Sequence, residues 1–271
     1  MKADKQLPFQ ITLLQIFDTI DSTYATLQGM ANEDSTLPSG ACLDTLYQSK
    51  GRGQRGNGWF ASKGANLLPS FMLKGTSLGA REGIRISGWV ALSVAEVVAE
   101  WAEGLTPEGF KRSTSSNVKV KWPNDIYWKN KKIAGILIAH TLQKNKIASS
   151  FCGIGLNVNE TDFPKELPNP IALCEIIGKS LPLEQVRQSL FTALERNYSS
   201  ALVNKNGASA MHRYYETKLY QRGEQATYYD VQRKCSFKGI IEGVSPEGRL
   251  LLRDSADDKL YCYAFKEVVY G

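Results

Sequence analysis

Histidine is nearly missing from this chain: His140 and His212 are the only two among 271 residues. That leaves little material for a Ser-His-Asp triad or a histidine metal site, and both read as structural or surface residues. The five cysteines, at 42, 152, 174, 235 and 262, include no C-x-x-C pair. Neither a zinc site nor a disulfide framework is expected, and no metal ligand set stands out. Most of the cysteines have apolar neighbours and read as buried small hydrophobes. No apolar run approaches the ~18 residues of a membrane helix. The start, Met1 to Pro8, has no apolar stretch of the kind a signal peptide needs, so a cytoplasmic location is expected. The positive excess is small, +6. It suits an anionic substrate as well as nucleic acid and argues for neither alone.

What remains is ordinary globular composition, 42% hydrophobic and 22% charged. Residues 9–17 are β-prone. Asp21-Ser22-Thr23 reads as a helix start, with the helix running to about Met30. Strands are expected at Cys42–Tyr47 and Leu67–Leu73, the latter at an edge or a bulge because of Pro69. From Ile84 to Trp101, Trp89, Val90, Val94, Val97, Val98 and Trp101 recur at helical spacing. A loop follows at 104–117. Strands are then expected at Val118–Trp122, Ile126–Trp128, Ile133–Ile138 and Ile147–Val158, with a hairpin turn at Lys129-Asn-Lys-Lys132. Helices are expected at Leu183–Val203 and Ser209–Leu219. From about Gly223 the texture changes to polar–apolar alternation broken by tight turns, as in a small β-barrel. The division is therefore 1–222 and 223–271. The smaller part would be marginal alone and should dock on the larger.

Two segments concentrate polar chemistry. Gly51-Arg-Gly-Gln-Arg-Gly-Asn-Gly-Trp59 is glycine-rich and basic, without an acid. Glycine lets backbone N–H groups approach an anion, and Arg52 offers a bidentate fork. As an isolated feature it reads equally well as a surface turn. Lys121-Trp-Pro-Asn-Asp125, followed by Lys132 and Gly135-Ile-Leu, places two lysines and an acid in a short span. A turn explains Pro123 and Asn124. It does not explain Lys121 and Asp125. Such a set suits a nucleotide accompanied by a metal ion.

Taken with Asp21-Ser-Thr23, Tyr47-Gln48, Gly64-Ala-Asn-Leu67, Lys132-Ile-Ala-Gly-Ile-Leu137 and Gly153-Ile-Gly-Leu-Asn157, these segments resemble the biotin protein ligases, also called biotin–[acetyl-CoA-carboxylase] ligases. The resemblance covers residues 21–157 in the family's order. It implies an α/β (α+β) fold with a mixed sheet like that of class II aminoacyl-tRNA synthetases and a C-terminal SH3-like barrel. It implies ATP and biotin as substrates, Mg2+ as activating ion, and a biotin carboxyl carrier domain as partner. The expected reaction forms biotinyl-5'-AMP and then biotinylates a lysine of that domain. Monomer and homodimer stay open.

By resemblance, Lys132, Arg52, Asp125 and Lys121 carry the chemistry. Ser22, Thr23 and Gln48 would bind biotin's ureido ring, and Trp59 would offer an apolar wall. Gly51, Gly53, Gln54 and Gly135 would frame the ligand, and Asn157 would face adenine or ribose. Three positions depart from the pattern. Gln54 stands where arginine is frequent, with Arg55 beside it. Tyr24 stands where asparagine often follows the Ser-Thr pair. Ala139-His140 stands where an acid is usual. Lipoate or octanoate ligases share this logic, but their signature histidine is missing here. A helix-turn-helix needs more than the ~20 residues before Asp21, so DNA binding is not expected.

Overall fold

Seven strands form one sheet in the order β1-β2-β3-β7-β6-β5-β4. They are β1 Thr12–Phe17, β2 Ala41–Thr45, β3 Ser70–Lys74, β4 Val118–Lys121, β5 Asp125–Trp128, β6 Lys131–Gln143 and β7 Lys146–Leu156. Only the β1–β2 pair is parallel, so the sheet is mixed, as expected. The computed structural model describes residues 9–104 and 117–271. The loop expected at 104–117 lies almost wholly outside them.

Helix α2, Gly83–Glu103, covers the sheet with the predicted face: Trp89, Val90, Val94, Val97 and Val98 are fully buried. The Trp89 indole N–H donates to the Leu194 carbonyl at 2.9 Å, which satisfies the polar atom inside the core. Helix α1, Thr23–Glu33, starts within the expected Asp21–Thr23 segment, where Ser22 is the cap and its Oγ accepts from the Ala25 N–H. Three-residue capping geometry is local, so it is legible in sequence.

The expected strand at Leu67–Leu73 is corrected in two ways. It begins at Ser70, and it is interior, between β2 and β7. Pro69 sits just ahead of it, where its missing N–H costs no ladder bond, and its carbonyl accepts from Ile154 at 2.9 Å. The expected helix 183–203 divides into α4, Leu183–Tyr198, and a π-helical turn at Ser199–Val203. There the Arg85 guanidinium takes the carbonyls of Ala201 and Leu202 at 3.2 and 3.0 Å, acceptors a regular helix would use itself. Helix α5 runs Lys205–Thr217, earlier than expected, because the Asn204 side chain caps it. A short helix α3, Leu173–Ile177, has too few residues to show a period.

The C-terminal strands are β8 Gln225–Asp230, β9 Cys235–Val244, β10 Leu250–Asp254, β11 Leu260–Tyr263 and β12 Val268–Tyr270. They form an antiparallel sheet in the order β11-β10-β9-β8-β12. Tyr228, Ile241, Leu250 and Leu252 belong to the same apolar core as α2 and the large sheet. A polar clamp adds to this contact: Trp122 Nε1 donates to the Gly248 carbonyl at 3.0 Å, while the Tyr215 hydroxyl of α5 donates to the Pro123 carbonyl at 2.8 Å. The C-terminal sheet therefore grips the Lys121–Asp125 turn directly. Cys42, Cys152 and Cys174 are buried, while Cys235 and Cys262 are exposed.

Candidate functional site

A cavity of about 330 Å³ opens over one face of the large sheet. On the β3 side, Thr23 organises a neutral polar set. Its Oγ1 lies 2.9 Å from the Leu68 carbonyl, 2.9 Å from Ser70 Oγ and 3.1 Å from Gln48 Oε1. The Thr23 N–H also donates to Gln48 Oε1, at 2.9 Å. That bond fixes the amide's orientation and leaves Nε2 as its donor. Tyr24 lies beside this set. Its ring covers Gly153, where an added Cβ would stand 3.3 Å from Tyr24 Cδ2. Burial pushes its hydroxyl up to about 12, so it is a neutral group here.

The loop Gly51–Trp59 forms the lid side. A 3-10 turn occupies Gln54–Gly56, and the Gly53 N–H donates to the Asn57 carbonyl at 2.7 Å. Gly51 is required by packing: a Cβ there would lie 2.4 Å from the Trp59 carbonyl oxygen. Arg52, Gly53, Gln54 and Trp59 line the cavity, and Arg52 is exposed at its rim. The Trp59 ring rests on the sheet over Gly135 and Gly155, where added Cβ atoms would come within 2.7 and 2.3 Å of it. Its Nε1 is buried and has no hydrogen-bond partner among the described residues.

The β4–β6 side is charged. Register pairs Asp125 with Gly135 and Tyr127 with Lys132. Lys132 Nζ meets Asp125 Oδ2 at 2.9 Å, both side chains being 33% exposed. Lys132 Nζ also stands 5.6 Å from the Trp59 ring centroid. The backbone of Lys132 is pinned on its other edge by Asn169 and Ile171, at 2.7 and 3.0 Å. Lys121 lies on the same wall, and burial pulls its ammonium below the usual lysine range, against the pull of Asp125. Lys129 and Lys131 are exposed in the hairpin beyond.

Strand order thus orders the chemistry. Hydroxyls and an amide lie by β3, glycines on β7 and β6, and charges on β6, β5 and β4. From β3 to β5 is three strand spacings, roughly 14 Å.

Of the expected site residues, Ser22, Thr23, Tyr24, Gln48, Arg52, Gly53, Gln54, Trp59, Lys121, Asp125, Lys132 and Gly135 line this cavity. Two do not. Gly51 acts behind the loop, under the Trp59 carbonyl. Asn157 is buried off the wall, donating its amide to the Ile171 carbonyl at 3.1 Å, with Oδ1 unpartnered among the described residues. Sequence reasoning passed over Ser70, Gly153 and Gly155, and also Phe265, Lys266 and Val268–Tyr270 from the C-terminal sheet. Gly153-Ile-Gly155 carried a legible signal, since alternate glycines bare one face of a strand. The C-terminal residues carried none.

Among the described residues, Asp125 is the only carboxylate on the wall. One carboxylate fits Mg2+ brought in on phosphates, with water completing the shell, rather than a dedicated protein cage. Among the described residues no helix is long and apolar enough to cross a membrane.

Comparison with known proteins gives a family and a fold. Residues 16–157 match the model of the Biotin/lipoate A/B protein ligase family. The chain is 37% identical over 218 residues to biotin–protein ligase 1, chloroplastic, of Arabidopsis thaliana, covering 80% of this chain and 56% of that one. It is 26% identical over 238 residues to the bifunctional ligase/repressor BirA of Bacillus subtilis, covering 87% of this chain and 67% of that one. The fold matches a biotin protein ligase from Aquifex aeolicus, solved with biotin and ATP, at a TM-score of 0.69 and 24% identity, covering 96% of this chain and 99% of that one.

Proposed function

We propose that the chain, which belongs to the Biotin/lipoate A/B protein ligase family, activates biotin with ATP and transfers it to a lysine of a carrier domain. The observation that carries this reading is the order of chemistry along the cavity. Biotin is a long molecule with a neutral ureido ring at one end and a carboxylate at the other. The Thr23–Gln48–Ser70 set offers donors and acceptors suited to the ring. The glycine floor and Trp59 suit its apolar body. The cations Lys132, Lys121 and Arg52 suit the carboxylate and the phosphates it must attack.

In the first step a biotin carboxylate oxygen attacks the α-phosphorus of ATP. The bond to the bridging oxygen breaks, and pyrophosphate leaves with its electron pair. Two anions must approach, so the main task is to offset repulsion and fix the line of attack. Lys132 sits where it can face both. Its pairing with Asp125 orients the ammonium before substrate arrives. Mg2+, held by Asp125 and the phosphates, would neutralise part of the triphosphate charge. In the second step the neutral ε-amine of the carrier lysine attacks the anhydride carbonyl. AMP leaves, and Asp125 would receive the amine's proton. Trp59 and the loop over the cavity would keep water from the anhydride.

A lipoate or octanoate reading fits less well, because a dithiolane or alkyl end gives the Thr23–Gln48–Ser70 set no polar partner. ATP–pyrophosphate exchange tests both: exchange should require biotin and not be supported by lipoate. Mass spectrometry should then find one biotin added to a carrier-domain lysine. Exchange driven by lipoate, or by neither acid, would refute the reading.

A further inference from the structure

We infer that Tyr270 is a positioning residue: with Tyr127 it holds the Lys121 ammonium by ring faces, keeping that charge available to the phosphates of the nucleotide. The inference rests on the reading of the cavity as an ATP site.

The two lysines of the charged wall are held differently. Lys132 is paired with a carboxylate. Lys121 Nζ lies 4.7 Å from the centroid of the Tyr270 ring, 5.1 Å from that of Tyr127, and 3.3 Å from the Tyr127 hydroxyl. Both rings are within the ~6 Å over which a ring quadrupole attracts a cation. A carboxylate would cancel the charge. A ring face holds the ammonium and carries no charge of its own, so the site keeps a net positive charge facing the cavity. Burial works against the ammonium here, and the ring faces offset part of that cost.

Tyr270 is itself well fixed. Strand β12 pairs it with Tyr228 of β8, and the two rings meet at 5.5 Å and 65°. Tyr220 lies 6.4 Å away on another side. The Tyr270 hydroxyl is buried and has no hydrogen-bond partner among the described residues. The ring, not the hydroxyl, is therefore the working part. Both Tyr270 and Lys121 line the cavity, so a wall residue of the large sheet is oriented by the C-terminal sheet.

Calorimetry of Mg-ATP and, separately, of biotin on the full chain tests this. Tyr270→Phe should change ATP affinity less than about twofold. Tyr270→Leu should weaken it about tenfold, the equivalent of one desolvated cation–ring contact. Biotin affinity should stay unchanged in both. Lys121→Met/Tyr270→Leu should bind ATP no more weakly than Lys121→Met alone, because the two residues act as one unit. If Tyr270→Leu does not fold, pentafluorophenylalanine in place of Tyr270 keeps the shape, inverts the quadrupole and should give the same loss. Additive losses, equal damage from Tyr270→Phe, or a matching fall in biotin affinity would each overturn the inference. Failure of the functional reading is distinguishable. A wild-type chain that binds ATP with this pattern of variants, but shows no biotin-dependent exchange, loses the reaction and keeps the ring-held lysine. A wild-type chain that does not bind ATP overturns both.

Discussion

The cavity has two walls built on opposite principles. The sheet wall carries Lys121, Asp125, Lys132 and Gly135 on paired strands, with Gly135 held between β5 and β7 and Lys132 between β5 and the Asn169–Ile171 segment. The lid wall carries Arg52, Gly53, Gln54 and Trp59 on a loop secured by a few internal backbone bonds, such as Trp59 to Gly51 at 3.0 Å. The groups proposed to act on the reacting atoms sit on hydrogen-bonded strands, where the backbone is most constrained. The groups proposed to admit and enclose a ligand sit where few contacts have to be broken. Trp59 links the two walls, because its ring seats on sheet glycines.

The strongest way to break this comparison is at Lys132. Lys132→Ala should lower adenylate formation by ~10²-fold or more, the scale of losing one transition-state stabiliser. Near wild-type exchange in that variant would end its assignment. Next is the seat of Trp59. Gly155→Ala puts a methyl where the indole lies, at 2.3 Å, so the ring must leave the floor. Biotin affinity should fall roughly tenfold, from an overpacking cost of about 1–3 kcal/mol. Unchanged biotin titration would show that the ring does not belong on that floor when ligand is bound.

A smaller effect is expected at Thr23. Thr23→Val removes the hydroxyl shared by Leu68, Ser70 and Gln48. Loss of about 1 kcal/mol of hydrogen bonding predicts biotin binding about fivefold weaker, with ATP binding unaffected. An equal loss for ATP would place the neutral set elsewhere in the ligand. The lid wall can be sharpened with trypsin, which cuts after Lys50 and Arg52. Cutting should be several-fold slower with biotin and ATP bound if the loop closes over them, and identical digestion with and without ligand would deny that closure. The smallest effect concerns the exposed hairpin. Reversing Lys129 and Lys131 to Glu should slow transfer to an acidic carrier domain about threefold to tenfold at low salt, through association rate. Adenylate synthesis should be nearly unchanged, and equal losses in both half-reactions would assign the hairpin to the nucleotide.

Much of the sheet wall was legible in sequence because its residues lie close along the chain. Lys121, Asp125, Lys132 and Gly135 fall on three consecutive strands joined by tight turns, with Lys132 and Gly135 near the start of β6, and hairpin pairing brings near neighbours together with little freedom. The Ser22 cap was legible for the same reason. The misses are of another kind. Pro69 suggested an edge or a bulge, but what mattered was its place one residue before β3, which depends on where β2 and β7 lie. Asn157 closes a recognisable strand, yet its side chain turns to Ile171 because the following segment folds back over β6.

Sequence alone determined the short antiparallel strands that follow the mixed sheet, much of the helix–strand pattern of the core and the residues that concentrate charge. These depend on periodicity, capping and local turn chemistry, which act over a few residues. Tertiary structure alone decided which strands adjoin, and hence the sequence of neutral polar, apolar and charged groups across β3, β7, β6 and β5. It also decided that Trp59 rests on Gly135 and Gly155, and that Tyr270 faces Lys121. The reason is that such contacts join segments far apart in the chain. They are selected by how two sheets pack on one core, and no short stretch of either segment encodes them.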